Sequence, residues 1–123
     1  MLFRSHFKNI NDTYGHAEGD KVLKKLTQTI QKQIRKDDTF ARWGGEEFII
    51  ITNGATIDSL KELIKRLQNE LANTSFAPAP NITLSFGLTL FKNDDNTQTL
   101  PKRADDALYE AKKNGRDRYE IIL

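Results

Sequence analysis

Two apolar runs meet at a pair of glycines in Phe40-Ala41-Arg42-Trp43-Gly44-Gly45-Glu46-Glu47-Phe48-Ile49-Ile50-Ile51, and this stretch constrains the fold more than any other. Aromatic and β-branched residues favour extended backbone, and Gly-Gly between them is a tight-turn signal. The segment therefore predicts a strand, a turn and a second strand, closed by Asn53-Gly54. The two glutamates are the oddity, because an apolar hairpin gains nothing from them. Adjacent strand residues point to opposite faces, so the two carboxylates cannot face one spot unless the turn twists. They suit either a solvated hairpin tip or a site for a hard cation, since magnesium takes oxygen ligands. Gly44 and Gly45 would let a phosphate or base come close to the backbone.

Helical periodicity flanks the hairpin. Val22, Leu23, Leu26, Ile30 and Ile34 recur at helical spacing from Gly19-Asp20, with Asp20 placed as an N-cap and Lys36-Asp37-Asp38 ending the pattern. A second amphipathic helix is predicted over Ile57 to Leu71, carrying Leu60, Leu63, Ile64 and Leu67. Asn81 to Phe91 alternates, with Ile82, Leu84, Phe86, Leu88 and Leu90 on one side, which predicts a strand with one buried face. A last helix over Leu100 to Asn114 stops at Gly115, and Tyr119 to Leu123 reads as a closing strand. Residues 1–16 show no clean period. Helices and strands in this alternation predict an α/β fold, a sheet covered by helices.

With 123 residues, of which 37% are hydrophobic, the chain is sized for one domain over 1–123. It has no cysteine, which excludes disulfides, thiol nucleophiles and thiolate-bound metals. Its net charge of +2 gives no ground for nucleic-acid or membrane binding. No apolar run is long enough to span a bilayer and no signal segment opens the chain, so a cytoplasmic location is expected.

Two further clusters can carry chemistry. In Phe7-Lys8-Asn9-Ile10-Asn11-Asp12-Thr13-Tyr14-Gly15-His16 and the following Gly19-Asp20, Asn11 and Asp20 can hydrogen-bond a purine edge and Lys8 can meet a phosphate. The plainer alternative is a polar loop with a helix cap. Lys112 and Arg116, at and just past a helix end, favour the helix dipole by themselves, or form a phosphate clamp.

Taken in order, Phe7-Lys8-x-x-Asn11-Asp12-x-Tyr14-Gly15-His16-x-x-Gly19-Asp20, Arg42-Trp43-Gly44-Gly45-Glu46-Glu47-Phe48 and Ala111-Lys112-x-x-Gly115-Arg116 resemble the GGDEF family of diguanylate cyclases, in its Gly-Gly-Glu-Glu-Phe variant. The resemblance runs from about His6 to Tyr119. It implies a palm-like α/β (α+β) domain, similar to nucleotidyl cyclases, with a ferredoxin-like sheet and flanking helices. It also implies condensation of two GTP molecules into cyclic di-GMP with release of pyrophosphate, by two domains face to face as a homodimer, with Mg2+ or Mn2+. By carry-over, Asn11 and Asp20 read guanine, Lys8, Lys112 and Arg116 hold phosphates, and GTP lies over Gly44 and Gly45. Glu46 would be a metal ligand, and Glu47 would help activate the 3′-hydroxyl or sit near the metals. Arg35-Lys36-Asp37-Asp38 matches the family's Arg-x-x-Asp inhibitory site for product cyclic di-GMP, with Arg66 as a secondary contact.

The chain departs from the family at its start. Where members carry Asp-x-Asp on the first strand, Phe3 and Ser5 stand here, so Glu46 is expected to lack its metal-binding partner. Only Met1 to Ser5 is available for that strand, which should lie centrally, between the hairpin and the Asn81 to Phe91 strand. The first central strand is therefore expected to be truncated, as a stub or as a gap that another chain fills. These departures predict slow or absent turnover, raised by restoring Asp at position 3. The alternative is a degenerate GGDEF domain serving as a receptor for cyclic di-GMP or GTP.

Overall fold

A computed structural model describes residues 1–4 and 8–123, and the side chains of all of these except Lys8 and Asn9. Ser5, His6 and Phe7, of which Ser5 stands at the second Asp-x-Asp position and Phe7 opens the first motif, lie outside the described residues. The elements run β1 (Leu2–Arg4), α1 (Lys8–Tyr14), α2 (His16–Gln31), β2 (Thr39–Gly44), β3 (Glu47–Ile51), α3 (Ile57–Ala72), β4 (Ser85–Leu88), α4 (Thr99–Lys113) and β5 (Tyr119–Ile121). The five strands form one mixed sheet in the order β2-β3-β1-β4-β5. All neighbours are antiparallel except β4 and β5.

The first strand is present and central. Leu2, Phe3 and Arg4 pair with Ile49, Phe48 and Glu47 on one side and with Gly87, Phe86 and Ser85 on the other. Met1 extends the ladder, exchanging both backbone hydrogen bonds with Ile50 at 2.8 Å. The backbone groups of β3 and β4 that were expected to lack partners are thus met over this span, which removes the desolvation cost of orphaned groups.

Each face of the sheet is covered. Phe3, Phe48, Ile50, Phe86 and Leu88 pack against Val22, Leu26 and Ile30 of α2 and Leu60, Leu63, Ile64 and Leu67 of α3. Leu2 and Ile49 pack on the opposite side, against Ala104 and Leu108 of α4. At about 1.5–3 kcal/mol for each large apolar side chain buried, this core is the main stabilising term. The start of α3 is fixed locally as well. Thr56 and Ser59 exchange side-chain to backbone bonds in a capping box, which contributes on the order of 1 kcal/mol.

Four sequence expectations change. The stretch before Gly15 contains a helix, α1, whose 7 residues are too few for periodicity to declare itself. α2 begins at His16, so Asp20 sits one turn inside it rather than capping it. The same helix ends at Gln31, and Ile34 reaches the core from the following turn. The Asn81 to Phe91 strand is confined to Ser85–Leu88 and is buried on both faces. Its second face reads as small and polar because α4 presses against it: a Cβ on Gly87 would lie 2.2 Å from the carbonyl oxygen of Ala104.

Candidate functional site

The hairpin tip is open backbone. Gly44 ends β2, Gly45 and Glu46 form the turn, and Glu47 opens β3 opposite Gly44. Gly45 has φ 51°, a left-handed conformation that favours glycine. Arg42 Nε donates to the Gly45 carbonyl at 2.8 Å and braces the turn, a role its place before the glycines hinted at but did not specify. A Cβ built on Gly44 or Gly45 would meet nothing within 4 Å, so a ligand can approach this backbone closely. Because Glu46 belongs to the turn and only Glu47 to the strand, strand alternation does not force the two carboxylates apart.

Glu46 does not face Phe3. Phe3 is fully buried, its ring 5.4 Å from that of Phe48 and 5.7 Å from that of Phe86. Successive strand residues point to opposite faces, so Arg4 projects away from that core. Its Nε donates to Glu46 Oε2 at 3.1 Å, with side-chain exposures of 35% for Arg4 and 12% for Glu46. The position expected to hold a missing ligand is therefore a core position, and the residue beside Glu46 is a cation. Among the described residues no three His, Asp or Glu side chains converge into a set that could hold a metal ion. The carboxylate pair expected to hold Mg2+ or Mn2+, position 3 with Glu46, is thus not formed here.

The register shows what else reaches this end of the sheet. Glu47, Arg4 and Ser85 form one row across β3, β1 and β4. The Ser85 hydroxyl accepts a bond from the Asp117 backbone N–H at 3.2 Å, which ties the turn after α4 to the same row. Arg116, in that turn, has φ 62° and donates its backbone N–H to Ala111 at 2.9 Å. Lys112 lies in the last turn of α4. Lys8 opens α1, and its side chain is outside the description.

Asn11 and Asp20 lie on the two helices that follow β1. Asn11 packs against the backbone of Gly19, where a Cβ would fall 1.4 Å from Asn11 Oδ1. Among the described residues that oxygen is buried without a hydrogen-bond partner, a state that costs desolvation and that a ligand donor would relieve. Asp20, the residue after Gly19, is exposed. Gly19 is thus a required gap, which its position inside a helix could have signalled.

Arg35 and Asp38 lie at the other end of β2. Asp38 Oδ2 accepts from the Arg35 backbone N–H at 2.8 Å, and the Asp38 N–H returns a bond to the Arg35 carbonyl at 3.1 Å, closing a compact turn. Arg66 reaches over from α3 and donates to the Gln33 carbonyl at 3.3 Å. Arg35, Asp38 and Arg66 line one cavity of about 250 Å³ together with Gly54 and Thr56. From Thr39 to Gly44 the strand spans about 17 Å, so this cavity and the hairpin tip are separate places.

The profile described as "Diguanylate cyclase, GGDEF domain" matches residues 1–118. Diguanylate cyclase DgcP of Pseudomonas aeruginosa is 40% identical over 124 residues, covering 98% of this chain and 18% of that protein. Diguanylate cyclase DgcM of Escherichia coli K12 is 40% identical over 118 residues, covering 96% of this chain and 29% of that protein. The chain thus spans less than a third of the length of either relative. Among solved structures, the active GGEEF domain of a diguanylate cyclase from Vibrio cholerae superposes with a TM-score of 0.87 at 34% identity, covering 99% of this chain and 80% of that one. The GGDEF domain of DgcB from Caulobacter crescentus, solved in complex with c-di-GMP, gives a TM-score of 0.87 at 28% identity, covering 98% and 74%.

Proposed function

The chain belongs to the GGDEF family of diguanylate cyclases, and from that premise we propose that it is a guanine-nucleotide-binding domain whose cyclase turnover is slow or absent. GTP lies over Gly44 and Gly45, with its base read by Asn11 and Asp20 and its phosphates held by Lys8, Lys112 and Arg116. Condensation into cyclic di-GMP with release of pyrophosphate requires a second copy face to face, so the active species is a homodimer. Glu47, at the start of β3, is the carboxylate placed to accept a proton from an attacking 3′-hydroxyl.

One observation carries the weak turnover: the carboxylate of Glu46 is engaged by Arg4 at 3.1 Å, while position 3 holds a phenyl ring buried in the core. The test is incubation with GTP and magnesium, with chromatography for cyclic di-GMP, beside calorimetry for GTP binding. Binding with little or no product is expected. Absence of GTP binding would overturn the reading, and rapid product formation would overturn its weak-turnover part.

A second reading is favoured by the cavity that gathers Arg35, Asp38 and Arg66 from the turn before β2 and from α3. It fits a receptor site for cyclic di-GMP, with guanidinium groups for phosphates or guanine edges and a carboxylate for guanine N–H donors. Calorimetry with cyclic di-GMP should show binding that Arg35→Ala abolishes. An unchanged affinity in that variant would rule this site out.

A further inference from the structure

The first strand places a cation where the family pattern leads one to expect a metal ligand. Position 4 is fixed by two ladders, opposite Glu47 on β3 and Ser85 on β4, so its side chain emerges from the centre of the sheet with little backbone freedom. Phe3 takes the core face, which leaves the Arg4 face as the one next to the hairpin tip. The ion pair with Glu46 is sheltered, and a guanidinium tolerates such shelter better than an ammonium because it is more weakly hydrated.

Arg4 has donors to spare. A guanidinium carries five N–H donors, and among the described residues the bond from Nε to Glu46 is the one hydrogen bond the Arg4 side chain makes. Its terminal Nη groups suit phosphate oxygens, which arginine binds in a forked geometry. A divalent cation at Glu46 would stand beside this fixed positive charge and compete with it for the same carboxylate.

We propose that Arg4 is a built-in cation that takes the place of a divalent metal beside Glu46 and contacts the phosphates of the bound guanine nucleotide directly. This inference rests on the proposed GTP site and adds how the phosphates are neutralised there. Nucleotide binding then needs no metal. Glu46 serves to hold the guanidinium in place, and Arg4 is a phosphate-binding residue rather than a remnant.

The test has two arms. In calorimetry with GTP, the wild-type chain should bind equally in EDTA and in magnesium. Arg4→Gln should weaken metal-free binding by about tenfold or more, and Arg4→Lys, which keeps the charge but not the fork, should recover only part of the loss, with circular dichroism confirming that each variant is folded. In the second arm, Mn2+ alone is titrated into the nucleotide-free chain and followed by electron paramagnetic resonance. No binding is expected for the wild type, and binding is expected for Arg4→Asp. GTP binding that requires magnesium, or that Arg4→Gln leaves unchanged, would overturn the inference while the proposed function stands. Mn2+ binding by the wild type that Glu46→Gln removes would overturn it too. If GTP binds under neither condition, the proposed function falls together with the phosphate contact, and the Mn2+ arm alone decides whether Arg4 excludes a metal.

Discussion

The carboxamide of Asn11 occupies the space that a side chain on Gly19 would need: a Cβ there would sit 1.4 Å from Asn11 Oδ1 and 2.6 Å from its carbonyl carbon. The contact joins α1 to α2 at Gly19, the residue before Asp20, and involves the proposed base reader, Asn11. Gly19 is buried inside α2, where glycine is otherwise unfavourable by about 1 kcal/mol relative to alanine, so the close approach is its justification.

Gly19→Ala should therefore separate binding from stability. Alanine favours the helix, and the displaced Asn11 opposes that gain, so the melting temperature should move little. GTP affinity should fall by about tenfold or more, because the carboxamide is pushed off its position. Calorimetry and thermal denaturation on the same samples check this. Full affinity in the variant would show that Asn11 does not read the base.

Phe3→Asp should unfold the domain rather than restore a metal site. Position 3 is fully buried between the rings of Phe48, Phe86 and Phe40. Loss of the ring costs about 3–5 kcal/mol in packing alone, before the cost of burying a carboxylate with no partner. Urea titration followed by circular dichroism measures it. A folded variant with raised cyclase activity would mean that position 3 faces Glu46 after all.

Gly87→Ala should destabilise by about 1–3 kcal/mol or more, since the added methyl would meet the α4 backbone at 2.2 Å from the Ala104 carbonyl oxygen and 2.4 Å from the Leu108 nitrogen. Backbone cannot rotate out of the way as a side chain can. A melting temperature equal to wild type would show that α4 is free to shift outward.

Acid should loosen the segment between β4 and α4. Arg103 donates to both Asp95 oxygens, at 2.8 and 2.6 Å, and to Thr89 and the Leu90 carbonyl. The hydrogen bond from Arg103, outweighing the opposing effect of desolvation, holds the Asp95 carboxyl well below its ordinary value of 3.8. A depressed carboxyl contributes stability that is present above its unfolded pKa and is lost as pH falls through the folded one. Asp95→Asn should therefore lower the melting temperature at pH 7, and the gap to wild type should narrow below about pH 4. A gap independent of pH would remove the ion pair as its cause.

Some local conformations were legible in the residues: Gly44-Gly45 predicts a turn and Gly115 a helix end, and the structure has both. The amphipathic stripes of α2 and α3 announced their buried faces because one side of each helix meets solvent. Where an element is buried all round, or is only a turn or two long, that contrast vanishes. This is why the sequence shows no period over α1 and only one apolar face for β4.

By itself the sequence determined the family, the hairpin and the order of the later elements, since these rest on spacing that any fold must respect. Only the tertiary structure decided what the first strand does. Leu2 and Phe3 are both apolar and both fully buried, Leu2 toward α4 and Phe3 toward α2 and α3, so the strand carries no alternation from which its facing could be read. Its register is set by the ladders of β3 and β4. Those ladders turn Phe3 into the core and bring Arg4 to Glu46.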